Sequence, residues 1–162
     1  MEIRSATSDD FPAIDAVILD AFGQVAEAHL CDILRRDQQL VCELVAVQDS
    51  MVVGHIVLSQ FLAPDGWLVL APLAVAPAHH RSGIGGALIK EVKQRATHLG
   101  WDAIVVLGAP ALYERFGFSV ANAANLITPY PSESTALCWL KTDRGAVAAK
   151  LMYPDAFSQM EE

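Results

Sequence analysis

Residues 73–96, LAVAPAHHRSGIGGALIKEVKQRA, decide the fold because they join an apolar run to an amphipathic one through a glycine-rich turn. The apolar run ends at Pro77, and two histidines and an arginine follow at positions 79–81. Glycine occupies three of the four positions 83–86. From Ile84 onward apolar residues recur with a helical period, and charged residues fill the other face. The pattern predicts a strand, a glycine turn and a long helix in direct succession.

A glycine turn at the start of a helix is suited to binding an anion. The first N–H groups of a helix lack intrahelical partners and carry about half a positive charge, which favours phosphate. Glycine lets the backbone approach a ligand closely, and Arg81 adds a fixed charge. The alternative is a plain helix-start turn that binds nothing. Two nucleotide motifs do not fit, because GxxxxGK[ST] is missing and Leu88 stands where GxGxxG needs its last glycine.

Composition and charge restrict the class of protein. With 162 residues, 53% of them hydrophobic and 19% charged, the chain is expected to fold as a single domain over residues 1–162. Its net charge of −8 argues against nucleic acid as a partner. The charge is uneven, since residues 1–50 sum to −7 and residues 78–96 to +3. The apolar runs are too short to span a membrane and the start lacks a signal-peptide pattern, so we expect a cytoplasmic protein without membrane contacts.

The cysteines indicate neither a disulfide framework nor a metal site. The three of them, Cys31, Cys42 and Cys138, are isolated from one another and form no CxxC pair. Free, buried or half-buried thiols are therefore predicted, and no metal is expected.

The order of elements predicts a mixed α/β fold. A short first strand precedes a helix that begins after a capping box of Thr7 and Asp10. A second helix is predicted over about 25–36, followed by two strands joined by a tight turn at Asp49–Ser50. Pro72 predicts a bulge or break in the next strand, since proline cannot donate to a ladder. Further predicted elements are a buried strand at 102–108, a short helix at 110–116 and late strands at 136–141 and 146–153.

Together these elements predict a largely antiparallel, twisted sheet flanked by helices. The strand, glycine turn, helix and buried strand of the central region form one βαβ crossover in that sheet.

Two segments of the sequence resemble the GNAT superfamily of N-acetyltransferases. LAVAPAHHRSGIGGALI resembles the family's acyl-CoA motif, a [QR]-x-x-G-x-[GA] turn after a V-x-P strand end, with His80 where glutamine or arginine is usual. LGAPALYERFGF resembles the segment that places a tyrosine ahead of a Gly-Phe step. The strands APLAV and VVLGAP and the late YPDAF are similar to the YhbS-like branch. The resemblance implies a GNAT-like fold over nearly the whole chain.

The resemblance also implies a cofactor, acetyl-CoA as co-substrate, and residues to hold it. The strand formed by Leu73, Ala74 and Val75 would pair with the pantetheine amides, as an added strand does. The turn would wrap the pyrophosphate with its backbone amides. The residues of that turn are His80, Arg81, Ser82, Gly83, Ile84, Gly85 and Gly86. From the residues alone, the ligand is only one that carries phosphate.

Acetyl transfer to an amine needs a group that protonates the leaving thiolate, and Tyr113 is the candidate. A tyrosine hydroxyl with a pKa near 10 stays protonated at neutral pH and can donate to a nascent thiolate. The alternative is a half-buried tyrosine that only packs beside Phe116 and Phe118. No cysteine stands in an obvious nucleophile context, which favours direct attack by the amine over a covalent enzyme intermediate.

Weaker signals concern the acceptor. Glu27 and His29 lie in the second helix, which borders the acceptor cleft in this family, and His55 interrupts an apolar strand. Each of the three could equally be structural or solvated, and no general base is assigned. The acidic first third suits a cationic acceptor, a primary amine of a small molecule or peptide. The resemblance also allows a homodimer.

Two other functions stay open from the sequence alone. One is an acyl-CoA-binding sensor or partner module without catalysis, which the histidine at position 80 would suit. The other is a different phosphate-binding protein, such as a nucleotide enzyme.

Overall fold

A computed structural model describes residues 1–160 of the chain. The strands are β1 (Glu2–Ser5), β2 (Leu40–Gln48), β3 (Met51–Gln60), β4 (Trp67–Val75), β5 (Ala103–Leu107), β6 (Leu126–Ile127), β7 (Thr135–Trp139) and β8 (Ala149–Lys150). The helices are α1 (Phe11–Phe22), α2 (Ala26–Arg36), α3 (Ile84–His98), α4 (Pro110–Glu114) and α5 (Ala156–Met160). No helix within this range has the length and apolar character needed to span a membrane.

Six strands form one sheet in the order β1-β2-β3-β4-β5-β7. Every neighbouring pair is antiparallel except β4 with β5, which run parallel. The helix α3 connects those two strands, as a parallel pair requires. The structure thus confirms the predicted mixed α/β fold with a largely antiparallel sheet and one central βαβ crossover.

Local sequence signals account for the first half of the fold. Thr7 and Asp10 form the predicted capping box ahead of α1. Asp49 and Ser50, at φ of 52° and 64°, join β2 to β3 as a two-residue turn of the kind whose twist matches a hairpin. Gly100, at φ of 91°, follows the end of α3, as predicted.

Two apolar layers cover the sheet, one on each face. The first, under α1, α2 and α5, includes Ile14, Ile18, Leu30, Leu34 and Phe157. The second, under α3, includes Ile84, Leu88, Ile89, Val92 and Tyr113. The apolar face predicted for α3 is the face that packs on the sheet.

The parallel strands β4 and β5 separate before β4 ends. Their pairing runs only to Leu70 and Val106, whereas β4 continues to pair with β3 as far as Val75. Between Ile56 and Leu58 the β3–β4 register shifts, and the predicted irregularity at Pro72 lies opposite this shift. Among residues 1–160, the later part of β4 therefore has no strand partner on its β5 side.

The last third of the chain differs from the sequence prediction. The strand predicted at 136–141 is β7, but only two residues of 146–153 form a strand, β8, which pairs in parallel with β6. Leu151 is buried in the first apolar layer, so the apolar pattern there reflects a buried connection more than a ladder. The helix α5 was not among the predicted elements.

Candidate active site

A cleft of about 330 Å³ opens where β4 and β5 separate. One side is lined by residues 70–73 of β4, residues 107–109 at the end of β5, and Leu112 and Tyr113 of α4. The facing side consists of Phe22, Glu27, Leu30, Tyr130 and Phe157. The cleft thus lies at the carboxyl ends of the two parallel strands, the usual place for a ligand in a sheet with parallel pairs.

The glycine-rich turn adopts a conformation that glycine favours. Arg81 and Gly83 both have positive φ, 64° and 84° respectively. Gly83 is the N-cap of α3, and no side chain of residues 1–160 caps the helix there. The Ser82 hydroxyl, which could have capped it, donates to the carbonyl oxygen of His79.

The start of α3 therefore has free N–H groups. The first hydrogen bond of α3 after the turn runs from the Ala87 N–H to the Gly83 carbonyl oxygen, at 3.0 Å. The N–H groups of residues 84–86 precede that bond and lack intrahelical acceptors. Because these groups also carry the positive end of the helix dipole, they can bind an anion.

The three glycines of the turn differ in what the fold demands of them. Gly83 needs its positive φ, and a Cβ at Gly86 would lie 2.6 Å from the Phe116 ring. At Gly85 φ is not in the left-handed region, and a Cβ would meet only Val75 Cγ2, at 3.7 Å, an ordinary contact. The fold itself does not require glycine at 85, so close approach of a ligand is the better reason for it.

The predicted cofactor residues lie close together in space, although the Ala74 and Ile84 side chains are buried. The His80 ring donates from Nε2 to the Val75 carbonyl oxygen at 2.9 Å, and Gly85 lies against the Val75 side chain. Leu73 lines the cleft, and Ala74 is buried on the opposite face of β4. The end of β4, the turn and the start of α3 are thereby adjacent.

Tyr113 lies in the wall of the cleft, with its ring held in the core. The ring stacks edge-on against Phe118 with 5.7 Å between centroids, and the side chain is 6% exposed. Gly108 makes room for it, since a Cβ there would lie 2.8 Å from the ring. Burial raises the pKa of Tyr113 to about 12, so the hydroxyl is protonated at neutral pH and can act only as a donor of its proton.

The structure separates the three weaker candidates. Glu27 lines the cleft, and Gln24 Nε2 donates to its two carboxylate oxygens at 3.1 and 3.0 Å. His29 lies in a different depression, between α1 and α2. His55 is fully buried and lines neither of them. Of the three, only Glu27 faces the space where an acceptor would sit.

His55 instead belongs to a buried ion cluster under α2. Its Nε2 donates to Glu43 Oε2 at 2.7 Å, and Arg35 donates through Nε to Glu43 Oε1 at 3.1 Å and through Nη2 to Oε2. The Arg35 guanidinium also lies 3.8 Å from the centroid of the Phe11 ring. Burial by itself would raise the pKa of Glu43, but the bonds from His55 and Arg35 outweigh it and lower that pKa to about 2.

This cluster predicts a loss of stability in acid. An unfolded glutamate has a pKa of about 4.3, so as the pH falls the unfolded chain takes up this proton before the folded chain does. The stabilisation from Glu43 is complete above about pH 5, falls as the pH drops towards 2, and amounts to about 3 kcal/mol.

We expect Glu43→Gln to be less stable than wild type at pH 7 and to lose less stability between pH 5 and 2. Urea unfolding at several pH values measures both effects. Glu91→Gln, which breaks the half-buried Glu91–Arg95 pair at 3.1 Å on the surface of α3, is the control and should change stability by less than about 1 kcal/mol. If the free energy of unfolding fell by the same amount between pH 5 and 2 in wild type and Glu43→Gln, Glu43 would not be the source of this pH dependence.

Sequence reasoning missed the aromatic side of the cleft. Tyr130 and Phe157 come from a loop and from α5, far along the chain from the glycine turn, and reach the cleft only through the tertiary fold. A helix pattern in YPDAFSQM could have indicated α5, but nothing local relates it to Tyr113.

The structure shows where the three cysteines lie and how the possible metal ligands are arranged. Cys31 and Cys138 are buried and Cys42 is half-buried, all as free thiols, as predicted. Within residues 1–160 no group of three or more His, Cys, Asp or Glu side chains is arranged to hold a metal ion.

Comparison with known proteins identifies the family. Residues 2–118 match the Acetyltransferase (GNAT) family. The N-acetyltransferase YhbS of Escherichia coli K12 is 36% identical over 140 residues, which cover 84% of each chain. The crystal structure of E. coli YhbS with CoA superposes with a TM-score of 0.89 and 33% identity, over 97% of this chain and 91% of that one.

A second solved structure agrees. A GNAT acetyltransferase from Brucella melitensis, in complex with acetyl-CoA, has a TM-score of 0.81 and 31% identity over 96% of this chain and 97% of its own. The glycine turn and Tyr113 both lie inside the matched range. The protein is therefore a member of the GNAT family of acetyltransferases.

Proposed function

We propose that the protein, as one domain over residues 1–162, moves an acetyl group from acetyl-CoA to a primary amine of a small molecule or peptide. The observation that carries this proposal is the continuity of the site. Among the described residues, the end of β4 has no strand partner on its β5 side, and this edge runs from the start of α3 to the cleft lined by Tyr113. Two relatives of this protein, E. coli YhbS and the GNAT acetyltransferase of B. melitensis, are solved in complex with CoA and acetyl-CoA respectively.

The cofactor would lie along this surface. The pyrophosphate accepts hydrogen bonds from the N–H groups of residues 84–86, and the Arg81 charge lies beside it. The pantetheine amides pair with the edge of Leu73, Ala74 and Val75, where the Val75 oxygen also accepts from His80. That course carries the thioester into the cleft beside Tyr113.

The reaction proceeds by direct attack. An alkyl ammonium has a pKa of about 10.4, so only about one molecule in 2,500 is neutral at pH 7, a penalty of about 4.6 kcal/mol. The neutral nitrogen attacks the thioester carbonyl, whose oxygen gains negative charge and accepts a hydrogen bond from a strand N–H near Val75. The attack gives a tetrahedral intermediate, and its collapse breaks the C–S bond. The leaving thiolate takes the Tyr113 proton, and the proton lost by nitrogen restores the tyrosine.

The high pKa of Tyr113 is compatible with this role. Burial likewise raises the pKa of the Cys31 thiol, to about 12, because an apolar setting disfavours a thiolate. The pKa of a CoA thiol released in the apolar cleft is raised for the same reason. Burial in the cleft therefore shifts the pKa values of donor and acceptor in the same direction.

Binding is tested by isothermal titration with acetyl-CoA, with ATP as the control ligand. Micromolar binding of acetyl-CoA and none of ATP is expected. Equal affinity for ATP would contradict the acyl-CoA site and favour a nucleotide-binding protein.

His80→Gln is expected to change acetyl-CoA affinity by less than about 3-fold. A glutamine amide can donate to the Val75 oxygen as the imidazole does, and the backbone N–H groups that would hold the phosphate are unchanged. His80→Ala removes the bond and should weaken binding by about 2- to 10-fold. Titration of both variants makes the comparison, and equal losses would show that the imidazole itself contacts the cofactor.

A further inference from the structure

The acceptor side of the cleft combines one carboxylate with aromatic and aliphatic side chains. Among the described residues that line it, Glu27 carries the only carboxylate, and no lysine or arginine is present. Around it stand Phe22, Leu30, Tyr130 and Phe157. This side of the cleft can pair with one positive charge and otherwise offers apolar contact.

The aromatic wall is packed before any ligand arrives. Tyr153 stands behind it, with ring centroids 5.0 Å from Tyr130, 5.3 Å from Phe157 and 4.8 Å from Phe61. Phe157 is 2% exposed and belongs to the first apolar layer. Because these rings support one another, the wall keeps its shape and favours a flat apolar substituent.

The cleft is also small for two reactants. Its volume of about 330 Å³ lies at the lower end of the range for small-molecule pockets. The thioester would occupy the Tyr113 side, so only part of the volume is left to the acceptor. A second ammonium on the acceptor would enter an apolar wall without a counter-ion, which is strongly unfavourable.

We infer that the acceptor is a small primary amine carrying a single apolar, aromatic substituent, an arylalkylamine, with Glu27 binding its ammonium. This inference rests on the proposed acetyl transfer. Polyamines and lysine side chains of polar peptides are disfavoured by the same wall. The substituent packs between Phe22 and the Tyr130–Phe157 side, which turns the amine towards the thioester.

The first test compares acceptors by thiol release from acetyl-CoA. Phenethylamine, ethylamine, spermidine and a lysine-containing peptide serve as probes. We expect kcat/KM for phenethylamine to exceed that for ethylamine by roughly 10- to 100-fold, the effect of burying a phenyl group. Spermidine and the peptide should lie well below phenethylamine.

The second test uses variants with matched controls. Glu27→Gln should raise KM for phenethylamine by about 10-fold or more while the Kd for acetyl-CoA stays unchanged. Glu2→Gln, an exposed carboxylate on β1, should match wild type. Phe22→Ala should raise that KM by about 3- to 10-fold, and Leu19→Ala should not, because Leu19 is similarly exposed on α1 but lines another depression.

The outcomes separate this inference from the proposed function. If spermidine or the peptide is used as well as phenethylamine, or if Glu27→Gln leaves KM unchanged, the inference is overturned and acetyl transfer stands. If acetyl-CoA binds but no amine stimulates thiol release, both are overturned.

Discussion

Gly85→Glu is expected to weaken acetyl-CoA binding by at least about 100-fold. The residue lies in the first turn of α3, where its N–H and those of Ile84 and Gly86 lack intrahelical acceptors. A glutamate there fills the space a pyrophosphate would occupy and adds a negative charge that repels it. Two charges at hydrogen-bonding distance near a protein surface interact by several kcal/mol, enough for this loss.

The fold should tolerate the change, so a loss of affinity in Gly85→Glu can be assigned to the binding site and not to unfolding. A Cβ at Gly85 meets only Val75 Cγ2, at 3.7 Å, and φ there is not in the left-handed region. Gly85→Ala is the companion variant, expected to be as stable as wild type or up to about 1 kcal/mol more stable, because alanine favours helix. Titration of both variants, with thermal unfolding to verify folding, makes the measurement. Unaltered affinity in folded Gly85→Glu protein would contradict the pyrophosphate site.

Tyr113→Phe is expected to lower kcat by about 100-fold or more while acetyl-CoA affinity stays nearly constant. The phenylalanine ring retains the contacts with Phe118 and Gly108 and loses only the hydroxyl. General acids contribute about 10²- to 10⁴-fold to a rate. Steady-state kinetics with an amine acceptor, together with titration of acetyl-CoA, separate turnover from binding.

Tyr153→Phe is the matched control. Tyr153 is also packed among aromatic rings, and burial raises its pKa, but it does not line the cleft. Its variant should keep wild-type kcat. Since the pKa of Tyr113 is about 12, wild-type kcat should show no fall due to this residue below about pH 11. Equal loss of turnover and affinity in Tyr113→Phe would assign the tyrosine to packing or cofactor binding instead.

The central part of the fold could be predicted because its signals are local. The glycine turn, the α3 period, the Asp49–Ser50 hairpin and the Thr7 capping box each depend on a few neighbouring residues. Such short-range patterns predict the backbone conformation without reference to distant contacts. The position of Tyr113 relative to the turn followed only from the family resemblance.

The acceptor side and the buried ion cluster could not be predicted because they depend on distant contacts. Glu43 and His55 share a face of β2 and β3 only in the observed register, which pairs Glu43 with Val57 and Val45 with His55. From the sequence alone, His55 was a weak candidate for the acceptor site, with a structural role as the alternative. Phe157 reaches the cleft because α5 packs beside α2, which no pattern near residue 157 indicates.

The measurement that tests the account most directly is amine-dependent release of CoA thiol from acetyl-CoA by the wild-type protein. The acceptor panel should include arylalkylamines, a polyamine and a peptide, with mass spectrometry of the products. The account predicts release that requires an amine and equals the amount of N-acetylated product. Tight acetyl-CoA binding with no amine-dependent release across the panel would contradict it and favour an acyl-CoA-binding module without catalysis.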